Sequence, residues 1–281
     1  MTHAALRNPD DARLFLERDM EAPETFPVPG GVASVFSSRS PDKETPNEDA
    51  AALIPFGDDA VVLVVADGVG GVRGGEQASR LAVEALWTEL AKAAESGAVL
   101  RSAILDAIEA ANEAVTEMRL GAATTLAALE VQGRTVRPYH VGDSMILVTG
   151  QRGRLKLQTV AHSPVGFAVE AGVLDEAQAM HHEDRHLVSN VLGAPDMRIE
   201  IGSAIALAPR DTVLLASDGL ADNLHTIEIV DQIRVGPIDR AAARIADDAR
   251  HRMAKASEGR PSKPDDLTFV VYRGANTVAR S

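Results

Sequence analysis

Two apolar runs in the chain end alike. Ala60–Val65 leads into Ala66-Asp67-Gly68, and Thr212–Leu215 leads into Ala216, Ser217-Asp218-Gly219. A strand that presents a carboxylate at its C-terminal end holds that acid rigidly, and the glycine after it lets the backbone turn and its carbonyl approach a ligand. Asp-Gly alone is also a common turn, so the case rests on the acids that accompany these two. Asn47-Glu48-Asp49 stands just before another apolar run, and Gly142-Asp143-Ser144 divides two strand-like segments. Asp222 lies one helical turn beyond Asp218, and Lys263-Pro264-Asp265-Asp266 opens the last apolar run. Carboxylates at strand ends, with few histidines and no cysteine, suit hard cations such as Mg²⁺ and Mn²⁺ better than zinc. Two such ions can share a water, lower its pKa and aim it at a phosphorus centre.

Rigid elements must position these acids. GVASVFSS (31–38), AVVLVVAD (60–67), DTVLLASDG (211–219) and DLTFVVYR (266–273) read as strands, most of them short, β-branched and bounded by glycine or polar turns. Residues 75–95 and 100–118 carry apolar side chains at helical spacing and read as two consecutive amphipathic helices. Residues 239–253 read as a third helix. Between them, ATTLAALEV, TVRPYHVG, SMILVTG and LKLQTVA are split by QGR, GDS and QRGR turns, which predicts an antiparallel meander. Residues 1–30 read as a charged N-terminal extension with a short helix over Pro9–Met20, and residues 31–281 as one domain. Strands with paired helices place the chain in the α+β class.

Composition sets the outer limits. The 281 residues include 28 basic and 41 acidic side chains, a formal charge of −13, with 45% hydrophobic residues and no cysteine. That is a globular composition. It excludes a disulfide framework, a thiolate metal site and a thiol nucleophile. The acidic balance speaks against nucleic-acid binding, which needs a basic footprint. The clean apolar runs are too short to span a bilayer, and the N-terminus lacks a secretory signal pattern. The cytoplasm is the expected location.

NEDA (47–50), ADGVGG (66–71), GAATTL (121–126), HVGDS (140–144), ASDGLADNL (216–224) and PDDLTFVV (264–271) occur in this order. In order and spacing the chain resembles the metal-dependent PPM/PP2C family of serine/threonine protein phosphatases, in its bacterial style, from about Val32 to Arg273. The resemblance implies a four-layer α-β-β-α sandwich of two antiparallel sheets, each flanked by a helix pair. It implies two Mn²⁺ or Mg²⁺ ions and a third held more weakly. Asp49 would bind one ion with Glu48 assisting through water, Asp67 would bridge both with the Gly68 carbonyl as a further ligand, and Asp218 and Asp265 would bind the other. The neighbouring aspartate leaves Asp265 against Asp266 open by one residue. Asp143 and Asp222 match the acids of the third ion. The implied reaction is direct attack of a metal-bridging hydroxide on phosphoserine or phosphothreonine of a protein substrate, in a signalling pathway linked to a kinase.

The chain also departs from the family pattern. Glu44 stands where many members carry a phosphate-binding arginine, which leaves Arg39, across a longer loop, or Lys43 as candidates. Lysine cannot copy the bidentate guanidinium fork. Val69 replaces a histidine found after Asp-Gly in eukaryotic members. Bacterial members commonly share that absence, so it does not imply lost activity; the altered arginine position supports an alternative, a catalytically impaired phosphoprotein-binding or regulatory module. Residues 162–195 correspond to the variable flap beside the active site. His182-Glu183-Asp184-Arg185-His186 matches a zinc-peptidase pattern, but Ser189 stands where the extended motif needs glycine and no third ligand follows. His140 reads as a packed strand residue.

Overall fold

The computed structural model describes residues 11–41, 43–69, 74–256 and 259–275. Its strands are β1 (Arg13–Leu16), β2 (Glu24–Val28), β3 (Gly31–Ser38), β4 (Asp49–Phe56) and β5 (Ala60–Val69), followed by helices α1 (Gly75–Ser96) and α2 (Leu100–Glu117). Then come β6 (Ala123–Thr124), β7 (Leu126–Gln132), β8 (Thr135–Val141), β9 (Met145–Thr149) and β10 (Leu155–Gln158), and the short helices α3 (Pro164–Glu170) and α4 (Glu176–Met180). The last part holds β11 (Glu200–Ile201), β12 (Ile205–Ala206), β13 (Thr212–Ala216), α5 (Asp218–Ala221), α6 (Thr226–Ile233), α7 (Ile238–Ala254) and β14 (Leu267–Gly274).

Two antiparallel sheets result. One runs β1-β4-β5-β7-β8-β11, with β12 also on β8 and β6 on β5; the other runs β10-β9-β13-β14-β3-β2. The alternation of side chains along a strand explains the layers. In β4 and β5, Ala51, Leu53, Val61, Leu63 and Val65 join the core shared with the second sheet. Ala50, Ala52, Ile54, Val62 and Val64 face α1 and α2 instead, meeting Ala82, Leu86, Ile104 and Ile108. A strand buried on both faces has no polar register, which is why these segments read as unbroken apolar runs. On the opposite side, Ile229 and Ile233 of α6 and Ala242, Ile245 and Ala249 of α7 join the core of the second sheet. The arrangement is the α-β-β-α sandwich, in the α+β class.

Two expectations change. The helix expected over Pro9–Met20 is, within the described residues, the strand β1, which pairs with β4 from Arg13↔Leu53 to Leu16↔Ala50. Phe15 is buried there and packs edge-on against Phe26 of β2 at 5.7 Å. Residues 13–28 thus supply an edge strand to each sheet. The meander divides in two: β7 and β8 pair in one sheet, β9 and β10 in the other, and Gly142-Asp143-Ser144 carries the chain across. Gly142 takes φ +106°, and a Cβ there would lie 2.6 Å from Thr125 Cβ, so the crossover needs glycine. The zinc-peptidase pattern lies on a 3-10 turn, Glu183–His186, which does not give its two histidines the shared face an α-helix would.

Candidate metal centre

The acids gather where one end of each sheet meets the other. Asp49 opens β4 and Asp67 lies near the end of β5, and the two are cross-strand partners. Asp218 follows β13 and begins α5, while Asp265 precedes β14. The sheets are linked at this point through Ser217, whose hydroxyl donates to Asp49 Oδ2 at 2.7 Å and accepts from the Thr268 N–H at 3.1 Å.

The non-acidic motif residues build the frame. Thr124 Oγ1 and the Thr125 N–H both donate to the Asp67 carbonyl at 2.8 Å, and the Asp67 N–H donates to Thr125 Oγ1 at 3.2 Å. Thr125 Oγ1 also shares a hydrogen with Ser144 Oγ at 2.6 Å, which ties the Asp143 turn to Asp67. Asn47 Oδ1 accepts from the Asp49 N–H at 2.9 Å, and its amide donates to Ser37 Oγ at 3.0 Å. Ser79 of α1 donates to the Glu48 carbonyl at 2.5 Å.

Asp266 and its neighbour have separate tasks. The buried Asp266 carboxylate accepts from the Ser40 N–H at 2.8 Å, the Glu48 N–H at 2.7 Å and Lys43 Nζ at 2.6 Å. It is spent on holding the loop before β4. Asp265 instead points a carboxylate oxygen at Lys263 and lies within the field of Asp218.

Burial pushes the Asp49 and Asp67 carboxyls well above the usual carboxylate range, and neighbouring charge adds to it: chiefly Asp266 on Asp49, and Asp49 on Asp67. Asp143 is pushed up to about 7 by burial and by Asp218. Asp265 is raised by burial and by Asp218. Carboxylates that resist giving up their protons are short of positive charge. The donor set is all oxygen, as a hard divalent ion requires. Backbone packing agrees. A Cβ on Gly68 would lie 2.4 Å from the Gly75 carbonyl oxygen and 2.8 Å from the Glu48 carbonyl oxygen. A Cβ on Gly75 would lie 2.7 Å from Glu48 Oε1 and 3.0 Å from the Gly68 carbonyl oxygen, so these two oxygens converge on one spot at the start of α1. The residues fit divalent ions. Gly70 and Gly71 of the glycine-rich loop lie outside the described residues.

The two basic candidates differ in placement. Lys43 Nζ lies 2.6 Å from both Glu48 Oε2 and Asp266 Oδ2, beside the acids. Burial works against its charge, but hydrogen bonds to Asp266 and Glu48 outweigh this and raise its pKa. Arg39 turns outward, with Nη2 3.6 Å from Asp19 Oδ2 and Nη1 donating to the Glu44 carbonyl at 3.4 Å.

Sequence reasoning missed two features. Lys263 Nζ reaches Asp218, Asp222 and Asp265 at 3.0, 2.7 and 2.9 Å. Behind the Asp143 turn, His140 lies against His162 with the rings tilted by 40° and their centroids 4.1 Å apart, and Glu200 completes a group whose ligand atoms lie within 4.8 Å. His140 is buried, and burial with the nearby His162 pushes its pKa down to about 4. His162 Nδ1 accepts from the Gly142 N–H at 3.1 Å and from Asn190 Nδ2 at 2.9 Å. Its proton therefore sits on Nε2 and is donated to Glu200 Oε2 at 3.0 Å. That tautomer leaves His162 no lone pair for a metal, so this group supports the turn. A cleft of about 490 Å³ runs from Asp143, Asp218 and Asp222 toward the flap, past Val165, Met180 and Arg185.

A double antiparallel sandwich with a hard-oxygen acid cluster across its sheet ends defines the metal-dependent phosphatase class. The family description protein phosphatase 2C matches residues 39–255, and the chain belongs to that family. The serine/threonine phosphatase stp of Listeria welshimeri is 32% identical over 197 residues, covering 67% of this chain and 77% of the relative. The Mycobacterium tuberculosis serine/threonine phosphatase PstP/Ppp is similar in structure with a TM-score of 0.70 at 27% identity, over 86% of this chain and 97% of that one. The PstP catalytic domain in complex with two manganese ions gives a TM-score of 0.68 at 27% identity, over 86% and 96%.

Proposed function

We propose that the chain hydrolyses phosphoserine and phosphothreonine in proteins, using two Mn²⁺ or Mg²⁺ ions held by Asp49, Asp67, Asp218, Asp265 and the Gly68 carbonyl, with Glu48 acting through water. The observation that carries this reading is the convergence of carboxylates from both sheets, where burial and mutual repulsion call for positive charge. The relatives' names and the two manganese ions of the PstP complex support it. When bound, the ions acidify a water and neutralise charge on the phosphoryl oxygens.

The chain's own residues do the rest. Asp67, pinned through its backbone by Thr124 and Thr125, sits opposite Asp49 and lies within the field of Asp49, Asp218 and Asp265. Ser217 is committed to Asp49 and Thr268, so it is not free as a nucleophile. With no cysteine either, water attacks phosphorus, the bond to the seryl or threonyl oxygen breaks, and the leaving oxygen takes a proton from solvent. The cleft beside Asp143 and Asp222 takes the polypeptide flanking the phosphorylated residue, so the flap contributes to substrate choice. Lys43 is the better placed of the two basic candidates for phosphate. The substrate is the product of a protein kinase. Kinases consume ATP, which supports a cytoplasmic setting; among the described residues no helix is long and apolar enough to cross a membrane.

Release of inorganic phosphate from a phosphothreonine peptide tests the reading. Turnover is expected with Mn²⁺ or Mg²⁺ and none with EDTA. No turnover with either ion, in folded protein, would favour the non-catalytic module.

A further inference from the structure

Resemblance to the family gives the chain a third ion near Asp143 and Asp222, and the structure puts a side chain there instead. Lys263 Nζ lies 2.7 Å from Asp222 Oδ2, 3.0 Å from Asp218 Oδ2 and 2.9 Å from Asp265 Oδ2. An ammonium has three hydrogens to donate, and here three carboxylates receive them. The backbone under this side chain is fixed. The Lys263 N–H donates to Asn223 Oδ1 at 2.9 Å, and its carbonyl accepts from Asn223 Nδ2 at 2.8 Å. Asn223 is itself buried, and its carbonyl accepts from Arg252 Nη1 at 2.7 Å. Pro264 then stiffens the step to Asp265. Lys263 is thus held at its base and at its tip.

Resting on the binuclear reading above, we propose that Lys263 is a built-in counter-ion that takes the place of the third metal, so that this chain carries two divalent ions and not three. A lysine contributes its charge at every metal concentration. Its positive charge repels a further cation from Asp222, whose Oδ2 is already engaged by the ammonium. The same commitment to three carboxylates makes Lys263 a poor phosphate ligand and a positioning residue for Asp218 and Asp265.

Native mass spectrometry across a Mn²⁺ titration reads this without reference to activity. The wild type is expected to saturate at two ions per chain. Lys263→Ala and Lys263→Met, the second keeping the side chain's bulk, are each expected to take a third, and adding Asp222→Asn to either should remove it. Three ions in the wild type, or two in both lysine variants, would overturn the proposal while leaving the binuclear reading in place. Fewer than two in the wild type would overturn that reading, and this one with it.

Discussion

Asp49 and Asp67 sit opposite each other on neighbouring antiparallel strands, both pushed well above the usual carboxylate range by burial and by nearby charge. Like charges placed directly across a sheet are destabilising, so this pair is a cost to the fold that a cation removes. Asp67→Asn should therefore do two opposite things. Hydrolysis should fall by about a hundredfold or more, because the charge stabilisation that goes with the ions is worth several kcal/mol. The melting temperature in EDTA should rise. A variant that melts lower in EDTA would show that the pair is not under repulsive strain.

The pH dependence of the metal-free protein follows from the same acids. Asp143 titrates near 7 when folded and near the ordinary value of about 4 when unfolded. Between these values the folded state holds a proton that the unfolded state has lost, so stability falls as pH rises through this window. In EDTA the melting temperature should be higher at pH 6 than at pH 8, and Asp143→Asn should flatten the difference. A wild-type melting temperature that rises with pH over this range would contradict the shift.

Asp265 and Asp266 should separate cleanly. Asp266→Ala leaves the buried Ser40 N–H and the half-buried Glu48 N–H without their acceptor, a loss of about 1–3 kcal/mol for a buried unsatisfied group. Its melting temperature should drop. Asp265→Ala should instead weaken Mn²⁺ binding, read by calorimetric titration, with little loss of melting temperature in EDTA. The reverse pattern would shift the ligand assignment by one residue.

Gly68→Ala tests the close approach of backbone to backbone. The added methyl would meet the carbonyl oxygens of Gly75 and Glu48, and neither can rotate away. A cost of about 1–3 kcal/mol is expected, together with weaker Mn²⁺ binding. Unchanged stability and affinity would mean that the loop before α1 is free to shift.

The acids were legible because chemistry and position coincide in them: each stands where an apolar run begins or ends, and six motifs in order gave the sandwich. Lys263 was not legible. Two residues before an aspartate in a polar stretch, it looks like a solvated side chain, and its partner Asp218 is 45 residues away. The crossover at Gly142-Asp143-Ser144 has the residues of a hairpin turn, and the close packing of Gly142 against Thr125 that distinguishes it is a tertiary contact. β1 was hidden because four residues among charged neighbours carry no clear period, and pairing with β4 decides their state. His162 gave no signal, since its role depends on its contact with His140.

The central claim is that the cluster's carboxylates hold ions that drive phosphate hydrolysis. Its most direct test is p-nitrophenyl phosphate turnover in Mn²⁺, in Mg²⁺ and in EDTA, with wild type beside Asp218→Asn. Turnover is expected to need Mn²⁺ or Mg²⁺, to stop in EDTA and to be nearly lost in the folded variant. Turnover that persists in EDTA, or that survives Asp218→Asn undiminished, would contradict it.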